Sequence, residues 1–429
     1  MPAIFTKTGA VPPAPPAQAG SPFGLSGLGA LHRVAGLVLG AAVLAAAGPG
    51  LVPVKAAGID SAMVDVAPAA LRQVIAAPTT RAWENPLPTP RESMIGPVRA
   101  ALPGQPGVWI GDRIASQPAA GTRAFGSFGI PYTSTRVQLG QGTRTSRAKQ
   151  LSASFPYRTV GKLFFTLPNG RRTHCTASVI QRGIIVTAAH CVAGFGAGSG
   201  NYYRNFVFVP AFHGPGAGPT APYGNWRARM VAAPTSWMRG TDPGCGAARA
   251  NDIAVLALRP QRGRPIGNVV GRLGYGWNDY SFVSSRRTGR LTTGAVSTFG
   301  YPAILDRGNI MQRVDGPTYP TNLCRRQVVN YWQGSNVGGG ASGGPLVVNF
   351  GAVRPQLVGG ATQGNDPVMA VIGVTSWGAA DPNRPKDNYA TRFGQNRIFS
   401  SGNYGGRGAG NIGALVHHVC SRLGRLYCW

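Results

Sequence analysis

Two short stretches restrict this chain more than anything else in it. They are Thr187-Ala188-Ala189-His190-Cys191 and Gly340-Ala341-Ser342-Gly343-Gly344-Pro345. Between them, Asn251-Asp252-Ile253-Ala254-Val255-Leu256 sets an acid at the mouth of an apolar run. A serine hydroxyl is a weak nucleophile until an imidazole takes its proton, and the imidazole needs a carboxylate to fix its tautomer and support its charge. The order His, Asp, Ser suits a pair of β-barrels; other frameworks built on the same three groups use other orders. His190 follows Ile184-Ile185-Val186-Thr187, a β-branched run that reads as a buried strand, so the base sits where a strand ends. Glycines at 338, 339, 340, 343 and 344 let the chain turn sharply about Ser342, so that the N–H groups of Gly340 and Ser342 can converge on an oxyanion. Each motif alone is weak, because a chain with 63 glycines forms glycine-serine loops readily. Together, in one order and at these spacings, the three motifs point to one site.

Few residues compete for the role of the acid. Between His190 and Ser342 the carboxylates are Asp242, Asp252, Asp279, Asp306 and Asp315, with no Glu. Asp242 precedes a Pro-Gly-Cys turn, and the last three lie in polar or glycine-containing segments. Only Asp252 leads directly into a strand-like hydrophobic run.

These motifs, with Phe206-Val207-Phe208-Val209-Pro210-Ala211, Pro222-Tyr223-Gly224-Asn225-Trp226, Trp237, Phe299-Gly300-Tyr301-Pro302 and Val371-Ile372-Gly373-Val374-Thr375-Ser376-Trp377-Gly378, give the chain a family resemblance. From about Phe155 to Cys420 it resembles the trypsin-like serine peptidases of chymotrypsin type, and within them the secreted bacterial branch that includes glutamyl endopeptidases. The resemblance implies an all-β fold of two packed six-stranded antiparallel β-barrels with a C-terminal helix. It implies a serine endopeptidase in which His190, Asp252 and Ser342 are catalytic and Gly340 and Ser342 form the oxyanion hole. Peptide or protein substrates would lie beside Ser376, Trp377 and Gly378, with Asn336 at the base of the side-chain pocket and Thr375 on its wall.

Two departures bear on that pocket and on activation. Asn336 is no carboxylate, so a preference for Lys or Arg loses its ion-pair partner, and Thr375 stands where glutamyl endopeptidases carry a histidine. Small, polar or apolar side chains are the weaker remaining expectation. The nucleophile is preceded by Ala341, so the amine–carboxylate switch of the animal enzymes has no acid to act on.

Six cysteines suggest disulfides in an oxidising compartment. Cys175 and Cys191 resemble the family's bridge around the histidine loop. Other pairings stay open, with Cys245–Cys324 and Cys420–Cys428 preferred. A zinc site is the competing reading, but the spacing matches no metal-ligand pattern, so no metal or cofactor is expected. His417-His418 reads as helix-surface and packing chemistry.

Three segments follow from composition. Residues 1–57 read as a leader and signal peptide, with an uncharged apolar stretch from Val34 to Ala47; a signal anchor is the rival. Residues 58–154, rich in Pro, Ala, Thr and Arg, read as a propeptide or flexible linker, with Arg144, Arg147 and Lys149 as sites for its removal. Residues 155–429 are the stretch that the resemblance implies is the protease domain, with strands expected at 161–165, 176–186, 206–209, 253–258, 346–350 and 371–376. Ile412, Leu415, Val416, Val419 and Leu423 recur at helical spacing, predicting an amphipathic helix packed on the second barrel.

The net charge is +29, from 42 basic and 13 acidic residues. Such an excess favours non-specific contact with anionic surfaces. The basic residues are dispersed and form no nucleic-acid motif, so no specific nucleic acid is expected. Secretion, or a periplasmic or cell-envelope location, follows from the leader and the cysteines. Two alternatives remain: a catalytically silent homologue, and a basic protein that binds anionic cell-surface polymers.

Overall fold

Strand after strand here is apolar on both faces, which requires that both faces be covered. The computed structural model describes residues 58–65, 130–137, 151–214, 219–285, 291–350, 369–378 and 386–428, all within the unit Val54–Trp429. In chain order the strands are β1 (Ile59–Met63), β2 (Thr133–Arg136), β3 (Val160–Thr166), β4 (Arg172–Val179), β5 (Ile184–Thr187), β6 (Arg204–Pro210) and β7 (Trp226–Pro234). A short hairpin, β8 (Gly244–Cys245) and β9 (Ala248–Arg249), precedes β10 (Ala254–Leu258), β11 (Gly274–Tyr275) and β12 (Val283–Ser285). Then come β13 (Leu291–Gly300), β14 (Gln312–Leu323), β15 (Val328–Gly334), β16 (Pro345–Val348), β17 (Ala370–Gly378) and β18 (Asp387–Arg392).

The strands close into two rings. The first runs β7-β10-β5-β4-β3-β6 and back to β7, and the second β13-β16-β17-β18-β15-β14 and back to β13. Each is a closed six-stranded antiparallel barrel, as expected, and closure removes the exposed edges of an open sheet. The apolar runs are explained by what each face meets. In β10, Ala254, Leu256 and Leu258 point into the first barrel, while Val255 and Ala257 join a second cluster. That second cluster also holds Val186, Phe299, Val347 and Val374, and so spans both barrels. A third cluster, with Phe282, Val296, Tyr331 and Ile372, fills the second barrel.

Two expectations change. The stretch 176–186 is not one strand: β4 ends at Val179 and β5 begins at Ile184, around a turn in which Gln181 N–H donates to Ile184 O. Gly183 in that turn lies under the Tyr427 ring, which a side chain would meet at 2.6 Å. The C-terminal helix, Gly410–Leu423, packs chiefly on β7, β10 and β1 of the first barrel rather than on the second. The reason is apolar surface: Met230, Ala232 and Val255 turn outward there, and Ile412, Leu415, Val416 and Val419 cover them. His418 of this helix hydrogen-bonds Ser61 of β1, and His417 meets Arg407.

Disulfides join Cys175–Cys191, Cys245–Cys324 and Cys420–Cys428, the pairings preferred from the sequence. Within 58–154, β1 adds to β7 and β2 adds to β14. The apolar leader and the basic sites at Arg144, Arg147 and Lys149 lie outside the described residues.

Candidate active site

Antiparallel pairing brings Asp252 and His190 together. Thr187 at the end of β5 faces Ala254 at the start of β10, so His190, just after one strand, and Asp252, just before the other, emerge at the same end of the barrel. His190 sits in a single 3-10 turn, Ala189–Cys191, clamped to β4 by the Cys175–Cys191 bridge. Asp252 is 3% exposed. Its Oδ2 accepts Nδ1–H of His190 at 2.7 Å, and its Oδ1 accepts the His190 backbone N–H at 2.9 Å. Ser376 Oγ donates to the same Oδ2 at 2.5 Å. Holding Nδ1 as a donor leaves Nε2 as the acceptor.

The electrostatics follow from this set. Burial alone would lower the His190 pKa, but the Asp252 charge and hydrogen bond outweigh it and the net shift is upward. For Asp252 burial pulls upward, and His190 with the Ser376 and backbone donors brings the pKa below its usual value. The other carboxylates are engaged elsewhere. Asp242 accepts from Asn251 and Ser236, Asp279 from Arg392 and Tyr331, Asp306 from Arg136, and Asp315 from Arg313.

Ser342 comes from the second barrel, just before β16. Its carbonyl accepts the Thr176 N–H at 2.8 Å, and Gly343 N–H donates to Thr375 O at 2.7 Å. Gly343 has φ +77°, and a Cβ there would fall 2.0 Å from Thr187 Oγ1 and 2.9 Å from Ala188 N. The Ser342 loop is thus pressed against the turn that carries His190, at a position open only to glycine. Among the described residues no hydrogen bond joins Ser342 Oγ to His190, a contact that commonly tightens only with substrate. Neither Gly340 N–H nor Ser342 N–H has an acceptor among the described residues.

A sequence model of the trypsin family, described as Trypsin, matches residues 152–397. The chain belongs to the trypsin family of serine endopeptidases. Similar solved structures include the protease Anisep from Arthrobacter nicotinovorans, 25% identical with TM-score 0.42 over 56% of this chain and 91% of that one. Another is a Glu endopeptidase in complex with MPD, 16% identical with TM-score 0.39 over 62% of this chain and 92% of that one. A search of curated proteins returns no match.

In this trypsin-family domain the residues expected beside a substrate lie on β17 and in the loop between β15 and Ser342. β17 pairs with β16 only as far as Val374, whereas Trp377 and Gly378 pair with β18 on the opposite side. Beyond Thr375 the inner edge of β17 therefore has no strand partner among the described residues. Trp377 stacks on Tyr389 at 3.9 Å, and its indole N–H donates to Asn330 at 3.1 Å. Asn388 ties Ser335 and Val337, on either side of Asn336, to β18. Asn336 Oδ1 and Thr375 Oγ1 are buried without a hydrogen-bond partner among the described residues.

The sequence reading missed three things. Ser376 is expected only as part of the substrate strand, yet its hydroxyl donates to Asp252. Asn251, fully buried, bonds Asp242, Asn396 and Asn411 and so fixes the residue before Asp252. Thr176 bonds Gly340 O and Ser342 O, and His174 bonds Tyr301 O beside the same loop. Each depends on tertiary contacts that no local pattern announces. Among the described residues the one cluster with metal-like composition is Cys175, His190 and Cys191, and both of its sulfurs are in a disulfide.

Proposed function

We propose that this endopeptidase works through a His190–Asp252–Ser342 triad and an acyl-enzyme. Ser342 Oγ attacks the scissile carbonyl while His190 Nε2 takes its proton. The C–N bond then breaks as His190 returns that proton to the leaving amine, and water, deprotonated by the same nitrogen, hydrolyses the ester. Gly340 and Ser342 N–H groups receive the oxyanion. The observation that carries this reading is the convergence of His190 and Ser376 on the buried Asp252 carboxylate, at the barrel end against which the Ser342 loop packs.

Substrate would add as a strand to the open edge at Ser376, Trp377 and Gly378. The unpartnered Asn336 Oδ1 and Thr375 Oγ1 favour small or neutral polar side chains over charged ones. Three disulfides support a secreted or cell-envelope location. We read residues 1–57 as the leader and 58–154 as a pro-region of which β1 and β2 are built onto the barrels. The charge of +29 favours salt-sensitive adhesion to anionic surfaces as an accessory property.

A fluorophosphonate probe tests the core of this. Labelling of the folded protein that disappears in Ser342→Ala establishes the activated serine. No labelling of correctly folded protein makes the chain a silent homologue, and binding to anionic polymers becomes the activity to measure.

A further inference from the structure

The loop carrying Ser342 has Ala341, 1% exposed, where an ionic anchor would stand. Its support comes from β4 of the other barrel. Thr176, wholly buried, donates its hydroxyl to Gly340 O at 2.8 Å and accepts the Tyr301 N–H at 3.0 Å, while its own N–H reaches Ser342 O. Two residues earlier on the strand, His174 Nε2–H donates to Tyr301 O at 2.9 Å. The same nitrogen lies 2.6 Å from where a Cβ on Gly340, at φ +93°, would stand. Ala303 N–H holds Gly339 O at 2.8 Å, and because a trans peptide points its N–H opposite its C=O, the Gly340 N–H is directed away from Ala303.

The support is uncharged where it touches the loop. Burial, and after it the nearby Lys162 charge, lower the His174 pKa to about 3, so the ring is neutral and keeps its proton on Nε2. Lys162 is itself buried, donating to Gly308 O at 2.8 Å above the rings of Phe212 and Phe164. Burial brings its pKa down to about 7. Neither group takes part in the triad chemistry.

We propose that His174 and Thr176 are positioning residues that brace Tyr301, Gly340 and Ser342 so that the two oxyanion N–H groups stay aligned, replacing an acid beside the nucleophile with neutral hydrogen bonds from the first barrel. The inference rests on reading Ser342 as the nucleophile. Its consequence is a loop ordered by the association of the two barrels rather than by a new chain terminus.

The test uses the full chain with His174→Leu and Thr176→Val, which keep volume and lose donors. His174→Gln, whose amide reaches the imidazole Nε2 position, and Thr176→Ser serve as rescues. Misaligning an oxyanion donor is expected to lower kcat and fluorophosphonate labelling on the order of 10- to 100-fold in the apolar variants, with KM within about threefold. The rescues should recover to within about threefold of wild type, and the pH profile should keep its shape because His190 still titrates. Hydrogen–deuterium exchange across 336–344 should rise in the apolar variants and not in the rescues, whatever the activity. Folded apolar variants with wild-type kcat and exchange overturn the brace, as does a Gln variant that falls as far as Leu. If wild type does not label at Ser342, the nucleophile reading fails, and the exchange pattern still decides the brace.

Discussion

Asp252→Asn isolates the charge of the acid while keeping its shape. Three donors converge on the Asp252 carboxylate: His190 N–H at 2.9 Å, His190 Nδ1–H at 2.7 Å and Ser376 Oγ–H at 2.5 Å. An asparagine offers one acceptor oxygen, so its NH2 must face a donor. If the oxygen stays on the backbone N–H, the NH2 faces Nδ1 and the imidazole carries its proton on Nε2, where it cannot accept the serine proton. Charge-assisted hydrogen bonds contribute about 1.5–3 kcal/mol each, and the two on Oδ2 together about 3–6 kcal/mol. At about 1.4 kcal/mol per tenfold, the expected loss in kcat/KM at neutral pH is on the order of 10² to 10⁴. The assay is peptide hydrolysis together with the second-order rate of fluorophosphonate labelling, on protein shown to melt cooperatively. Asp315→Asn is the control, since that carboxylate is held by Arg313 and Ser297, and it should leave the rate unchanged. A folded D252N that loses less than about tenfold refutes the assignment of Asp252.

Further outcomes follow from the same contacts. The acid limb of kcat/KM should lie above the ordinary histidine pKa of about 6.5, because the Asp252 charge and hydrogen bond outweigh burial at His190. The stability that His190 draws from the pair is complete below its unfolded pKa and lost as pH rises through its raised folded value. The share from Asp252 is present above its unfolded pKa and lost as pH falls through its lowered one, so the Tm difference between wild type and D252N should be greatest between those limits and narrow towards both. Ser376→Ala should lower kcat about tenfold with KM little changed, read by steady-state kinetics, because one donor to Asp252 is lost. Replacing Cys175 and Cys191 together by serine opens a bridge of sequence separation 16 and should cost about 3 kcal/mol in a denaturant titration.

The features legible in the sequence were those that local chemistry dictates. Unbroken apolar runs such as Ile253 to Leu258 had to be strands covered on both faces, and the glycines about Ser342 had to mark a sharp turn. The Cys175–Cys191 pair was readable through the family pattern, whereas the Cys245–Cys324 and Cys420–Cys428 pairings were preferences that the sequence left open. What escaped was set by packing between segments distant in the chain. The spacing of Ile412, Leu415, Val416 and Val419 defines a helix and its apolar face but not which barrel presents the complementary surface; that depended on Met230, Ala232 and Val255 turning outward. Nor does spacing show that a hydroxyl in the substrate strand, Ser376, sits on Asp252 rather than facing the cleft.

Contacts between segments distant in the chain also place Asp252 firmly. Asp252 is held on its outer side by His190 and Ser376, but the residue before it is locked from behind. Asn251 donates N–H and Nδ2–H to Asp242, each at 2.8 Å, and its Oδ1 accepts from Asn396 at 2.7 Å and from Asn411 at 3.2 Å. Asn411 in turn donates to Arg392 O and accepts Gly394 N–H, which ties the start of the C-terminal helix to the end of β18. A buried amide surrounded in this way leaves donors and acceptors unpaired if it is cut back, at about 1–3 kcal/mol for each orphaned group. The C-terminal helix therefore does more than cover apolar strands: through Asn411 and Asn251 it fixes the backbone from which Asp252 reaches His190.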